Sequence, residues 1–465
     1  MKDRNKAENN YRTETDSMGE VRVPERALYG PQTQRAVENF TLSDQPLPWE
    51  FIRTLLLIKQ SAAIANNELG VLSDHLSKAI VESAVELRGG RPGGQFPVSV
   101  FQTGSGTSSN MNVNEVISGL ARTKGIKLSA NDHVNLSQSS NDVIPTALHI
   151  TTAVETKKKL LPALENLRSE LLKFGDNHRD VIKTGRTHLM DALPIRLRAE
   201  VDGWAAQVKE CCERHDDALA RLCRLPLGGT AVGSGVNCPP GFSEKTIALI
   251  NEETGIIFSS AASLYKGISS LDTIVEYSGI LKTTAIALSK IANDLRWMNS
   301  GPLTGLAEIK LPALQPGSSI MPAKINPVIP EAILMAAAQV IGNDTTIHIA
   351  GLGGNFQLNT MLPLATSNIL NSLELLSGSA ISLADKVIPK ITVNHKNLHR
   401  SLSMNPILVT ALTPITGYLK AAEIGKIAAE EKRSVIEVAK ELTDIPADKL
   451  AQLLDPKNLA DWPEI

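Results

Sequence analysis

Between about Asp142 and Ile391 the chain repeats one pattern, an apolar residue every three or four positions with Lys, Glu and Arg between. Leu160, Leu164, Leu167 and Leu171 show it most plainly. That period puts the leucines on one face of an α-helix. Similar runs cover 192–222, 265–297, 328–348 and 362–388. Each holds ~20–30 residues, so each helix should reach roughly 30–45 Å at 1.5 Å per residue. Period-two alternation is brief wherever it occurs, so little sheet is expected. Long helices joined by short polar connections predict an elongated bundle with the leucine stripes as its core.

Upstream, residues 1–30 read as mostly extended, and a helix is predicted from Gln32 through Phe40. Two more helices fit 48–88, parted near Gly70. The stretch "RGGRPGGQFP" (88–97) then stops helical structure. The segment after it is rich in glycine and hydroxyls, and a helix should begin within Asn110–Val116. Beyond Ile391 the pattern shortens. Ser434 and Glu437 have the spacing of a capping box, and "DIPADKL" (444–450) opens another short helix. Residues from about 396 therefore read as a small helical unit.

Composition narrows the function. The 465 residues are 42% apolar, which suits a folded chain with a large core. Lys plus Arg is 47 and Asp plus Glu is 49, a balance that argues against nucleic acid or an anionic membrane as the main partner. Aromatics are 4%, too few for base-stacking platforms. The cysteines Cys211, Cys212, Cys223 and Cys238 lack zinc-site spacing and read as buried, reduced thiols. No apolar run is long enough to span a bilayer, and "MKDRNKAENNYRTETDS" lacks the apolar core of a secretory signal. The expectation is a cytoplasmic, enzyme-sized protein.

Four stretches carry candidate chemistry. "LQPGSSIMPAKINPVIPE" (314–331) sets two serines and a Lys-x-Asn triplet among four prolines. "TGSGTSSN" (103–110), "SQSSND" (137–142) and "GRTHLMD" (185–191) share its Ser, Thr, Asn and Gly content and read as loops bordering long helices. Hydroxyls, amides and helix N-terminal N–H groups all donate to carboxylates, and glycine lets the backbone approach a ligand. Helix capping explains any one loop. Four of them, one with Lys324 and one with His188, point to an anionic ligand. "GSGTSS" lacks the third glycine of a dinucleotide loop, and no Walker A, His-Glu-x-x-His or Gly-x-Ser-x-Gly sequence occurs, so no metal or cofactor is called for. His188 is the histidine set in a polar, Gly-bounded loop; His75, His178 and His215 are expected on solvated helix faces.

"GSSIMPAKINP" resembles the signature of the fumarase/aspartase superfamily of lyases. "TGSGTSSNMNVNEVI", "VNLSQSSNDVIPTALHI", "TGRTHLMDALPI", "GGTAVGSGVN" and "SGPLTGLAEI" resemble successive blocks of class II fumarases, in order and over nearly the whole chain. The resemblance implies a mainly α, three-domain subunit with a central bundle of long helices, here 1–138, 139–395 and 396–465. It also implies a homotetramer whose active sites draw loops from three subunits. The substrate implied is a small dicarboxylate, with no cofactor. Matching positions make Ser318 the base that removes a proton beside the substrate carboxylate. His188, paired with Glu331, would serve the opposite face. Ser105, Gly106, Thr107, Ser139, Ser140, Asn141, Thr187, Ser319, Lys324, Ile325 and Asn326 would bind the two carboxylates.

One departure stands out. Where the family has His-Pro-Asn-Asp, at a second, peripheral carboxylate site, this chain has Ser129, Ala130, Asn131 and Asp132. The missing imidazole puts that second site in doubt. Aspartate ammonia-lyase is the rival on the same fold, because "PAKINPVIPE" and "IGNDTT" resemble aspartases too. The blocks nearest the substrate favour fumarase. A catalytically idle structural homologue would be expected to have lost Ser318, His188 or Lys324, and all three are present.

Overall fold

The computed structural model describes residues 10–90 and 92–461. The extended reading of residues 1–9 and Arg91 of the Gly/Pro loop lie outside the described residues. Strands β1 (Tyr11–Asp16) and β2 (Gly19–Pro24) pair as an antiparallel hairpin. Helices α1 (Pro31–Asn39), α2 (Trp49–Glu68), α3 (Asp74–Gly89) and α4 (Thr107–Thr123) follow. Then come α5 (Ser140–Glu155), α6 (Leu161–Asn177), strands β3 (Ile182–Thr187) and β4 (Met190–Arg196), and α7 (Leu197–Leu222). The remaining longer elements are α8 (Phe242–Thr254), α9 (Leu264–Ser269), α10 (Asp272–Asn299), α11 (Val328–Gly351), α12 (Leu362–Ser382) and α13 (His395–Ser403). The fold is mainly helical, and its described sheets are all two-stranded.

The helical period places the leucines where it should. Leu160, Leu164, Leu167 and Leu171 are fully buried, each contributing about 1.5–3 kcal/mol of apolar transfer. Several boundaries differ from the sequence reading. α4 starts at Thr107, ahead of Asn110, because Gly106 adopts a left-handed turn (φ 75°) at its N-cap. The 192–222 run starts as strand, so α7 begins only at Leu197. The 265–297 run is broken between α9 and α10. The last run is α-helical to Ser382 and then relaxes through a π-turn and a 3₁₀ turn. His215 is fully buried rather than solvated: its Nδ1 lies 2.9 Å from the Tyr277 hydroxyl. Of the four thiols only Cys211 is buried, and the other three are half-buried.

Two compact units emerge. The first comprises Met1–Leu161, Glu213–Thr283 and Ala338–Leu376; the second comprises Pro162–Cys212, Thr284–Ala337 and Ser377–Ile465. The chain passes between them five times, each time inside a helix. In the first unit α2 packs against α3, α5 and α8. In the second, β3 packs against α13, and residues 408–454 share a small core around Leu412, Ile424, Val438 and Leu450. That segment carries the predicted capping box, with the Glu437 N–H donating to Ser434 Oγ and the Ser434 N–H to the Glu437 carboxylate.

Candidate functional site

In the first unit the hydroxyl-rich loops close onto two helix N-termini. Gly104 lies so near the 360–362 backbone that a Cβ would be 1.8 Å from the Thr360 carbonyl oxygen, and its own carbonyl accepts from Leu362 N–H at 3.0 Å. Only glycine permits that approach. The loop therefore enters α4 with the Ser105 and Thr107 hydroxyls 2.9 Å apart. Ser139 caps α5: its hydroxyl accepts from Asn141 N–H at 3.2 Å. The Asn110 side-chain amide, one turn into α4, reaches Ser140 Oγ at 3.2 Å and so ties the two loops together.

Asp142 fixes the second loop from below. One carboxylate oxygen accepts from Ser139 N–H at 2.9 Å; the other accepts from Gly228 and Thr230 N–H, each at 3.0 Å. Burial nevertheless pushes its pKa up to about 6, against the pull of those donors. The Asn141 amide donates to the Ala231 carbonyl at 2.8 Å. Two helix N-termini edged by hydroxyls and amides make a site suited to an anion.

In the second unit the loop that carries Ser318 folds back on itself. A Cβ on Gly317 would lie 2.0 Å from the Lys324 carbonyl oxygen, and Asn326 donates to the Gly317 carbonyl at 2.6 Å. The Lys324 ammonium hydrogen-bonds the Asn326 side-chain oxygen. Ser318 Oγ accepts from Met321 N–H at 3.0 Å and Ile320 N–H at 3.3 Å. Two amide donors aimed at one hydroxyl oxygen favour its deprotonated form. Ser319 and Ile325 are exposed. Lys324, Ile325, Asn326 and Glu331 line a cavity of about 990 Å³ that also receives Arg296, Trp297 and Lys310. The sequence reading passed over Arg296 and Lys310, which lie in segments without motif character.

Thr187 and His188 are placed by a β-hairpin, not by the loop expected at 185–191. His188 and Leu189 form its two-residue turn with φ of 54° and 61°. Positive φ at both positions is the geometry that suits the strand twist, although Asn and Gly are its usual occupants. The arms are clamped from behind: buried Glu308 pairs with Lys183 and with Arg186, each at 2.7 Å, and Lys183 also meets Glu200 at 2.8 Å. The imidazole of His188 is thus exposed on a braced tip. Glu331 is exposed in the first turn of α11. Among the described residues, no hydrogen bond or ion pair within one chain joins His188 to Glu331 or to the Ser318 loop.

Residues 129–132 form a short turn. Ser129 Oγ accepts from Asp132 N–H at 3.1 Å and donates to its carboxylate at 2.8 Å. Ala130 and Asn131 border a separate cavity of about 750 Å³, with Arg122 and Lys127 on its wall. Among the described residues no group of three or more His, Cys, Asp or Glu side chains is placed to hold a metal ion, and no helix is long and apolar enough to cross a membrane.

The chain resembles known proteins over most of its length. A family model described as lyase matches residues 19–342, and one described as fumarase C C-terminus matches residues 408–461. The chain is 52% identical over 453 residues to a class II fumarate hydratase of Xylella fastidiosa, covering 97% of this chain and 96% of that protein. It is 53% identical over 450 residues to a class II fumarate hydratase of Pseudomonas aeruginosa, covering 96% and 98%. The crystal structure of the class II fumarase of Schistosoma mansoni matches with a TM-score of 0.94 at 36% identity, covering 97% of this chain and 99% of that one.

Proposed function

Because the chain belongs to the class II fumarate hydratase family, carbon–oxygen lyases of the fumarase/aspartase fold, we propose that it interconverts fumarate and L-malate. The observation that carries this reading is the folded-back Ser318 loop, where two backbone amides converge on the serine oxygen and Gly317 packs on the Lys324 backbone. In the dehydration direction the Ser318 alkoxide takes the C3 proton of L-malate and becomes the hydroxyl, leaving a second negative charge on the adjacent carboxylate. Lys324 and Asn326 are suited to that dianion, so they stabilise the transition state more than the ground state. The C2–O bond then breaks on the opposite face. The hydroxyl departs as water with a proton from His188, which Glu331 orients once chains assemble. Hydration runs the same steps backwards, with His188 taking a proton from the attacking water.

Ser105, Gly106, Thr107, Ser139, Ser140, Asn141, Thr187, Ser319 and Ile325 are proposed to hold the substrate carboxylates. The family division at 1–138, 139–395 and 396–465 is proposed for this subunit, as are a homotetramer with active sites shared between copies, a cytoplasmic setting and turnover without added metal. Ser129 Oγ is already engaged with Asp132, so turnover is proposed not to depend on residues 129–132. The direct test follows ultraviolet absorbance of the fumarate double bond in chelator-treated protein, first with L-malate and then with L-aspartate. Malate should yield fumarate and aspartate should not. Turnover of aspartate alone would assign an ammonia-lyase instead.

A further inference from the structure

α2 carries one lysine inside its most apolar stretch. Lys59 follows Leu55, Leu56, Leu57 and Ile58, and it is 0% exposed. A buried ammonium is expensive and persists only where polar partners surround it. Here it donates to Gln138 Oε1 at 2.9 Å and to Asn135 Oδ1 at 3.1 Å. Asn135 Oδ1 also accepts from the side-chain amides of Asn110 at 3.0 Å and Asn114 at 3.1 Å. The Asn110 amide in turn reaches Ser140 Oγ. A chain of hydrogen bonds therefore runs from a buried cation to a hydroxyl of the diacid-binding loop.

Lys59 belongs to that loop rather than to the core at large. One of its acceptors, Asn135, lies just before the loop and the other, Gln138, lies within it. Asp142, the buried carboxylate beneath the same loop, acts on Lys59 electrostatically; burial outweighs that pull and lowers the lysine pKa to about 7. The groups this loop offers a ligand are neutral, namely Ser139, Ser140 and Asn141, whereas the substrate is a dianion. A positive charge linked to Ser140 through Asn135 and Asn110 favours carboxylate binding in a low-dielectric setting.

We propose that Lys59 is a positioning residue for the diacid site: its cation orients Asn135 and Gln138 and, through Asn110, presents the Ser140 hydroxyl to a substrate carboxylate. This rests on the fumarate hydratase reading, so wild-type turnover of fumarate is measured first; its absence would remove that reading. With an active wild type, two variants decide the role of Lys59. Lys59→Met removes the charge at similar volume, and Lys59→Met with Gln138→Met also removes the acceptor left without its donor. Each is compared with wild type by thermal melting with and without succinate, a diacid that cannot react, and by steady-state kinetics.

A folded variant should show KM for fumarate raised about tenfold to a hundredfold, as expected when a loop's buried polar partners are lost. Its kcat should stay within about threefold, because the reacting groups are untouched. Succinate should no longer raise its melting temperature. A folded variant with wild-type KM and wild-type succinate protection would overturn the assignment. So would failure of both variants to fold, which would make Lys59 a support of the whole unit rather than of the loop.

Discussion

Ser318 is a weak base in water, and its surroundings have to change that. In the proposed reaction the Ile320 and Met321 amides, which donate to Ser318 Oγ, would stabilise its alkoxide, and the Gly317 contact with the Lys324 backbone keeps them in place. Ser318→Ala should lower kcat about 10²- to 10⁴-fold, the usual size of a general-base contribution, with KM and the melting curve nearly unchanged by kinetics and circular dichroism. His215 makes a different prediction. Burial lowers its pKa from 6.5 to about 4. Between those values the unfolded chain binds a proton that the folded chain refuses. Stability fully present above pH 6.5 is therefore lost as pH falls toward 4, by at most about 3 kcal/mol. Urea midpoints at pH 7 and pH 5 should differ more in wild type than in His215→Gln. The sequence could not disclose this burial, because periodicity assigns polar residues of a helix to its outer face, as it did for His215 and would for Lys59.

Among elements, the long helices were legible because their leucines repeat over many turns, and the cap at Ser434 because a short polar motif makes its own hydrogen bonds. The β3–β4 hairpin was not legible. It turns at His188-Leu189, where neither residue signals positive φ, and the register shift at Gly185 interrupts the alternation of its arm. What forces the turn is distant in sequence: Glu308, more than a hundred residues on, holds Lys183 and Arg186 together. Glu308→Gln keeps the shape but weakens both ion pairs. Steady-state kinetics should show kcat reduced about 10- to 100-fold through misplacement of the His188 tip. The fold should survive, as judged by melting, with a stability loss of about 3 kcal/mol. The Ser318 loop was the reverse case. Its residues were evident from composition, while its folded-back shape depends on a glycine–backbone contact that no spacing rule reports.

At the scale of the whole molecule, α11 exposes an apolar stripe. Met335, Gly342 and Ile349 recur every seven residues, with Ala338 and Thr345 between them, and all five are exposed. Heptad spacing of this kind suits packing against further helices, which supports the proposed tetramer. Met335→Glu should lower the mass seen by sedimentation and, if sites are shared between copies, lower activity with it. In the proposed reaction a proton and a hydroxyl are handled on opposite faces of one diacid by Ser318 and His188. Hydration of fumarate in D₂O, read by proton NMR of the L-malate formed, tests it most directly. One deuteron at C3, anti to the new hydroxyl and in a single diastereomer, is the predicted result. Malate with deuterium on both faces, or no malate at all, would contradict it.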